Sequence, residues 1–117
     1  MRSHQEFVMV ELGPNGLPIR IFLSEKLAYR DPSLDVGEMR RGAAMKYIRE
    51  SVFARSRGKC ERCGRLITWM SMQMHEVNPR GMTAHTRGEV SVANSQAICF
   101  SCHNAAHANR RPQWSRA

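Results

Sequence analysis

The chain has 117 residues and a formal net charge of +8. This length favours a single domain, or a small domain with an appended arm, whose limited core a structural metal would reinforce. The sequence has no run of 18 apolar residues and no signal-peptide pattern at its start. We therefore expect no membrane span and no export, and we predict a cytoplasmic protein.

The positive charge is unevenly distributed along the chain. Residues 1–53 hold 8 Lys/Arg against 7 Asp/Glu, whereas residues 54–117 hold 10 against 3. A basic half of this kind indicates a nucleic-acid partner, because cationic side chains bind phosphates and release counterions. The simpler alternative is that the excess charge only keeps the protein in solution.

The first half of the chain predicts a hairpin followed by a helix. The apolar runs "FVMVEL" and "PIRIFL" flank the turn-forming stretch "GPNG", which predicts a hairpin over residues 7–23. Further on, apolar residues recur at helical spacing from about Asp35 to about Gly58. The predicted buried face of this helix consists of Val36, Met39, Ala43, Tyr47, Val52 and Phe53.

Four cysteines form two CxxC pairs, Cys60/Cys63 and Cys99/Cys102, separated by 35 residues. A CxxC turn places two thiolates on one side of a tight bend, so two pairs supply the four ligands of a closed, structural zinc site. Gly64 suits the first turn because glycine tolerates positive φ. In a reducing compartment, zinc is favoured over disulfides or free thiols. The long spacing indicates an inserted element between the pairs, and we expect that element to carry the function.

Three histidines lie within or just after this region. His103 and His107 are four residues apart, so on a helix they face the same side, as two ligands of one ion require. Taken singly, His103 could instead cap a helix or support the zinc site, and His107 could be an exposed helix residue.

The joint pattern resembles the HNH endonucleases, whose ββα-metal motif lies between or beside two zinc knuckles in many members. The matching elements are Cys60/Cys63, His75-Glu76 before Pro79-Arg80, Asn94 five residues before the second cysteine pair, Cys99/Cys102, His103 and His107. The resemblance covers about residues 54–110, and the wording "HEVNPRG" looks most like the small HNH proteins of tailed phages. It implies one structural Zn2+ held by the four cysteines and one catalytic divalent ion, which is Mg2+, Mn2+, Ni2+ or Zn2+. The catalytic ion would be held by His75, His103 and His107, with positions left open for phosphate and water.

The sequence departs from the family pattern at residue 76. In most members the second residue of the dipeptide is a histidine that acts as general base, whereas this chain has Glu76. Two assignments follow. In the first, His75 binds the metal and Glu76 is the base, which the alignment of the motif favours. In the second, Glu76 leans toward the metal and His75 activates the water. The higher intrinsic basicity of histidine favours this second assignment.

Two further positions carry roles implied by the resemblance. Asn94 would hold the β-loop closed or orient the base through a backbone bond, and the alternative is a turn or helix N-cap asparagine. Arg80 would contact the scissile phosphate, and the alternative is an ordinary exposed arginine.

These observations predict a small α+β fold in three parts. An N-terminal hairpin and helix arm spans residues 1–53. An HNH nuclease core with a ββα-metal (His-Me finger) motif and a four-cysteine zinc site spans 54–110, and a basic tail spans 111–117. The leading hypothesis is a metal-dependent DNA endonuclease. The alternatives are a zinc-stabilised nucleic-acid-binding module without strong catalysis and a subunit of a phage packaging (terminase) complex.

Overall fold

The N-terminal hairpin forms as the sequence predicts. In the computed structural model, which describes residues 6–77 and 89–108, strands β1 (Phe7–Leu12) and β2 (Pro18–Phe22) pair antiparallel. Gly16 lies in the turn with φ +78, a conformation that glycine adopts without strain. A short helix, α1 (Glu25–Ala28), follows β2.

The predicted helix from Asp35 is wrong over its first residues. Val36–Arg40 form strand β3, which pairs antiparallel with β1, and helix α2 (Arg41–Ser56) begins after it. Gly37 disfavours a helix at this point, and the exposed edge of β1 offers backbone partners for the segment. Tertiary pairing therefore overrides the helical spacing of the first apolar residues.

The buried face of helix α2 agrees with the prediction at Val52 and Phe53 and differs from it over the first turns of the helix. The side chains of Ala44, Ile48 and Val52 are fully buried, at the spacing of i, i+4 and i+8. Ala43 and Tyr47, which we expected in the core, are exposed. Aliphatic residues pack against the sheet here, and a tyrosine retains contact with water for its hydroxyl. The predicted end of the helix is confirmed, since Arg57 leaves it in the left-handed region with φ 56.

The first sheet contains a strand from the inserted element. Its strand order is β3-β1-β2-β5, in which β5 (Glu89–Ser91) pairs antiparallel with β2. The second sheet has two antiparallel strands, β4 (Gln73–Glu76) and β6 (Ser95–Ile98), and helix α3 (Phe100–Ala108) follows β6 directly. Strands β4 and β6 with α3 form a ββα element, so the predicted small α+β fold is confirmed.

One hydrophobic core connects the two halves of the sequence. Ile21 and Ile48 from the first half pack in the same buried cluster as Met72, Val90 and Ile98 from the second. The division into residues 1–53 and 54–110 stays a prediction, and packing continues across that boundary. No helix in the described parts of the chain is both long and apolar enough to cross a membrane.

Arg55 connects α2 to the region of the first cysteine pair and to β6. Its guanidinium forms a two-pronged ion pair with the carboxylate of Glu61, at 2.9 and 2.8 Å, and donates to the carbonyl oxygens of Val92 and Ser95. The same carboxylate accepts the backbone N–H of Ala97 at 2.8 Å. The hydrogen bonds from Arg55 lower the pKa of Glu61. These contacts join the end of α2 and the nearby first cysteine pair to β6, which is distant in sequence.

We predict that Arg55→Ala destabilises the protein by about 1–3 kcal/mol, because hydrogen bonds to a charged partner and two carbonyl contacts are lost together. Thermal and urea unfolding measure the change. Arg65→Ala is the matched control, since its side chain is exposed and makes no contact of this kind among the described residues. Equal stability of the two variants would contradict the prediction.

Candidate metal centres and cleft

The four cysteines come together as a single cluster. Their sulfur atoms all lie within 4.8 Å of one another, and Cys63 Sγ is 3.7 Å from Cys99 Sγ. Two ligands of a tetrahedral zinc with Zn–S bonds of about 2.3 Å are separated by about 3.8 Å. The arrangement therefore fits a zinc site with four cysteine ligands.

The backbone around each pair forms the turn that zinc knuckles require. In the first turn the N–H of Cys60 donates to the carbonyl of Arg65, and the N–H of Gly64 donates to the carbonyl of Cys60. Gly64 has φ +81, which confirms the conformation expected of it. The N–H of Cys63 points to the Cys60 sulfur, and in the second turn the N–H of Cys102 points to the sulfur of Cys99.

The pKa values of the clustered thiols are consistent with a cation site. Burial opposes ionisation of Cys60, but hydrogen bonds from backbone N–H groups, that of Cys63 foremost, lower its pKa to about 6. A hydrogen bond with the Cys99 sulfur, together with burial, raises the pKa of Cys102 to about 12. Because thiolates this close repel one another, a divalent cation would allow all four to be ionised together.

Three histidines form a second cluster on the ββα element. One ring nitrogen from each of His75, His103 and His107 lies within 4.8 Å of the others. The Nε2 atoms of His103 and His107 are 3.0 Å apart. Two ligand atoms about 2.1 Å from a common ion are this far apart when the angle between them at the ion is about 90°, as for neighbouring positions of an octahedral shell. The donor set therefore fits a divalent transition metal.

The three rings are positioned by strand β4, which carries His75, and by helix α3, which carries His103 and His107. His75 is the third residue of β4 and is buried, and its ring lies 5.9 Å from that of His103 and 6.1 Å from that of His107, centre to centre. The two helical histidines are one turn apart on α3. The N–H of His103 donates to the carbonyl of Cys99, so the helix begins within the second cysteine turn.

The histidine cluster opens into a cleft of about 530 Å³. Glu76, the last residue of β4, lines the same cleft and is partly exposed. Its carboxylate is not one of the grouped ligand atoms. The remaining lining residues come from β2, α2, β4 and β5, and they are Ile21, Leu23, Arg41, Met45, Met74 and Val90.

Comparison with known families identifies the segment that carries both clusters. Residues 60–109 match the family model described as HNH endonuclease. This part of the chain belongs to the HNH endonuclease family. A search of curated proteins and a search of solved structures give no significant match. The match contains all four cysteines and all three clustered histidines, as the resemblance in the sequence implied.

The HNH pattern also included Asn94 and Arg80. Asn94 lies in the turn before β6, where its carbonyl accepts the N–H of Val77 at 2.8 Å and its own N–H donates to the Ser91 hydroxyl. The first of these bonds ties the end of β4 to the start of β6. Asn94 is not the N-cap of α3, which begins at Phe100. Arg80 and the predicted tail 111–117 lie outside the described residues.

The HNH pattern gives no indication of the residues that the first half of the chain contributes to the cleft. Arg41 and Met45 come from α2, and Ile21 and Leu23 from β2 and the residue after it, all before the matched segment. A hydrophobic pattern indicates only that such residues belong to a helix or strand. Their place at the cleft follows from the pairing of β2 with β5 and from the packing of α2 on β2 and β6, which the sequence did not reveal.

We predict opposite effects for two adjacent substitutions. Cys102→Ser removes a zinc ligand, so bound zinc should fall well below one ion per chain and the cooperative thermal transition should be lost. His103→Ala should retain one zinc and the wild-type far-UV circular dichroism, and should lose only the second ion. Zinc content by atomic absorption and circular dichroism measure both.

Asn104→Ala is the control, because Asn104 is the exposed neighbour of His103 on α3. It should retain both ions. Loss of the fold in His103→Ala, with Asn104→Ala unaffected, would contradict the separation of the two sites.

Proposed function

We propose that this protein is a metal-dependent endonuclease that hydrolyses phosphodiester bonds of DNA. The observation that carries the proposal is the cluster of His75, His103 and His107 at an open cleft on the ββα element of an HNH segment. The +8 charge, concentrated in residues 54–117, supports a polyanionic substrate. In this proposal residues 54–110 form the nuclease core, residues 1–53 support it, and the four cysteines hold a structural zinc.

The three histidines would hold the catalytic divalent ion, which would be Mg2+, Mn2+, Ni2+ or Zn2+. When bound, such an ion neutralises charge on the phosphate and stabilises the leaving oxygen. Three protein ligands leave positions in the coordination shell for substrate and water. The cleft next to the rings provides the space for a phosphodiester.

Glu76 is the proposed general base. The ring of His75 is buried and one of its nitrogens belongs to the ligand cluster, so a metal-binding His75 has no free nitrogen directed at the same water. Glu76 is the next residue on β4, lines the cleft and stands outside the ligand set. Its carboxylate can take the proton of the attacking water while the histidines hold the ion. These positions favour the first of the two assignments.

Asn94 has a positioning role in this proposal. The bond from the Val77 N–H to the backbone carbonyl of Asn94 closes the hairpin immediately after Glu76, and the role of the Asn94 side chain stays a prediction from the family pattern. Fixing the end of β4 in this way keeps the direction of the Glu76 side chain constant relative to the cleft. The contact of Arg80 with the scissile phosphate stays a prediction from the family pattern.

The first test is nicking of supercoiled plasmid by the purified protein in each of the four metals. We expect conversion to the open-circular form, blocked by EDTA and reduced at least about 100-fold in His103→Ala. DNA binding without nicking under any metal would overturn the nuclease and favour the binding module or the packaging subunit. The cytoplasmic location and the phage origin of this protein also stay predictions.

A second prediction separates the base from the ligand. Glu76→Gln should lower turnover about 100- to 10,000-fold and leave affinity for the catalytic ion within a few-fold, because only the proton acceptor is lost. His75→Ala should lower both. Isothermal titration with the metal, together with single-turnover cleavage, measures the two quantities.

Glu50→Gln serves as the control, since Glu50 is an exposed carboxylate on α2 outside the cleft. Near-normal turnover in Glu76→Gln would exclude Glu76 as the base and return that role to His75.

A further inference from the structure

We propose that Arg41 binds a DNA backbone phosphate next to the one that is cleaved, and so fixes the position of the strand in the cleft. The inference rests on the proposed nuclease function and adds a substrate contact from outside the matched segment. Arg41 is the first residue of α2, and the HNH match begins at residue 60.

Arg41 lines the same cleft as the three clustered histidines and Glu76. It is the one arginine or lysine among the described residues that line this cleft, and its side chain is exposed. A DNA strand that presents one phosphate to the histidine cluster must place its neighbouring phosphates along the walls of the cleft. A fixed cation in that wall is therefore within the path of the backbone.

The surroundings of Arg41 leave its guanidinium available. Within residues 6–77 and 89–108 it takes part in no ion pair, whereas Arg20, Arg40 and Arg55 are each paired with a glutamate. The nearby lining is largely apolar, with Leu23 and Met45 among its members. A charge beside apolar groups is less screened than one in open water, so its attraction to a phosphate is stronger. The planar guanidinium can also donate two parallel hydrogen bonds to a phosphate.

Contacts within the protein hold the backbone of Arg41 in place without any ligand. Its N–H donates to the carbonyl of Glu6 at 2.8 Å, at the junction of β3 and α2. Ala44 and Ile48, on the following turns of the helix, are fully buried in the core. The side chain therefore starts from a fixed point on the rim of the cleft.

If Arg41 acted only through its positive charge, its removal would weaken DNA cleavage slightly and at no particular phosphate. Lys46 provides the comparison for such a general effect. Lys46 is an exposed cation on the same helix that does not line the cleft. Arg41→Ala and Lys46→Ala each remove one positive charge from α2. If Arg41 contacts a particular phosphate, only its removal should abolish the response of the enzyme to the charge of that phosphate.

The experiment uses end-labelled duplex DNA that carries a single uncharged methylphosphonate at a known position, and it maps cleavage at every phosphodiester on a sequencing gel. With wild-type protein, cleavage should fall about 10-fold or more at one fixed offset from the methylphosphonate. In Arg41→Ala, overall cleavage should fall by a similar factor and the minimum at that offset should disappear. Lys46→Ala should retain the minimum and cleave within about three-fold of the wild type.

Arg41→Gln repeats the test with a side chain of closer length, and Arg41→Lys should restore part of the minimum because it keeps the charge and loses the planar fork. The melting temperature and zinc content of each variant confirm that it is folded. A minimum that persists unchanged in Arg41→Ala or Arg41→Gln overturns the inference alone. Absence of all cleavage by the wild-type protein overturns the proposed function, and this inference with it.

Discussion

The rest of the structure depends on the convergence of four cysteine sulfurs from turns that lie 35 residues apart in sequence. The first turn is continuous with the end of α2, and the second ends β6 and begins α3. A single ion at this point would close the whole inserted element as one loop, which lowers the entropy lost on folding a small domain. Strands β4 and β5 lie within that loop.

The cysteine cluster also fixes the direction of α3. Cys102 and His103 are adjacent, and the carbonyl of Cys99 accepts the N–H of His103, so the sulfur cluster and the histidine cluster share one rigid turn of backbone. Metal-binding rings need accurate placement, and a short helix of nine residues offers little intrinsic stability. The attachment of its first turn to the cysteine cluster and the burial of Ala106 therefore stabilise this helix.

The parts of the protein that the sequence revealed are those whose chemistry is local. A CxxC pair or two histidines four residues apart specify their own geometry, so the cysteine cluster and the pair of His103 and His107 could be predicted from spacing. His75 was added only by the family resemblance. Strand β3 could not, because Val36–Arg40 is extended only through its pairing with β1. The bridging contacts of Arg55 were equally hidden, since an arginine in an exposed helical pattern gives no sign of its partners.

The pairing of β2 with β5 explains why the first half of the chain reaches the proposed active site. It brings Ile21 to the same cleft as the histidines, and helix α2, which contacts both β2 and β6, places Arg41 there. The buried cluster extends across both halves. Residues of the first half are therefore part of the wall of the cleft, and their packing fixes its shape. A pattern confined to the HNH segment contains none of this information.

The glutamate at residue 76 and the arginine at residue 41 have a common electrostatic explanation. Neutral imidazole ligands leave the charge of a divalent ion uncompensated, and a histidine base in place of Glu76 would add no negative charge. In the proposed nuclease, the carboxylate of Glu76 would lower the positive potential of the cleft and so weaken its attraction for a phosphodiester. Arg41, on the wall of the same cleft, restores a cation away from the ligand set. In the proposed nuclease, a glutamate at residue 76 would therefore be compatible with substrate binding because Arg41 would compensate its charge.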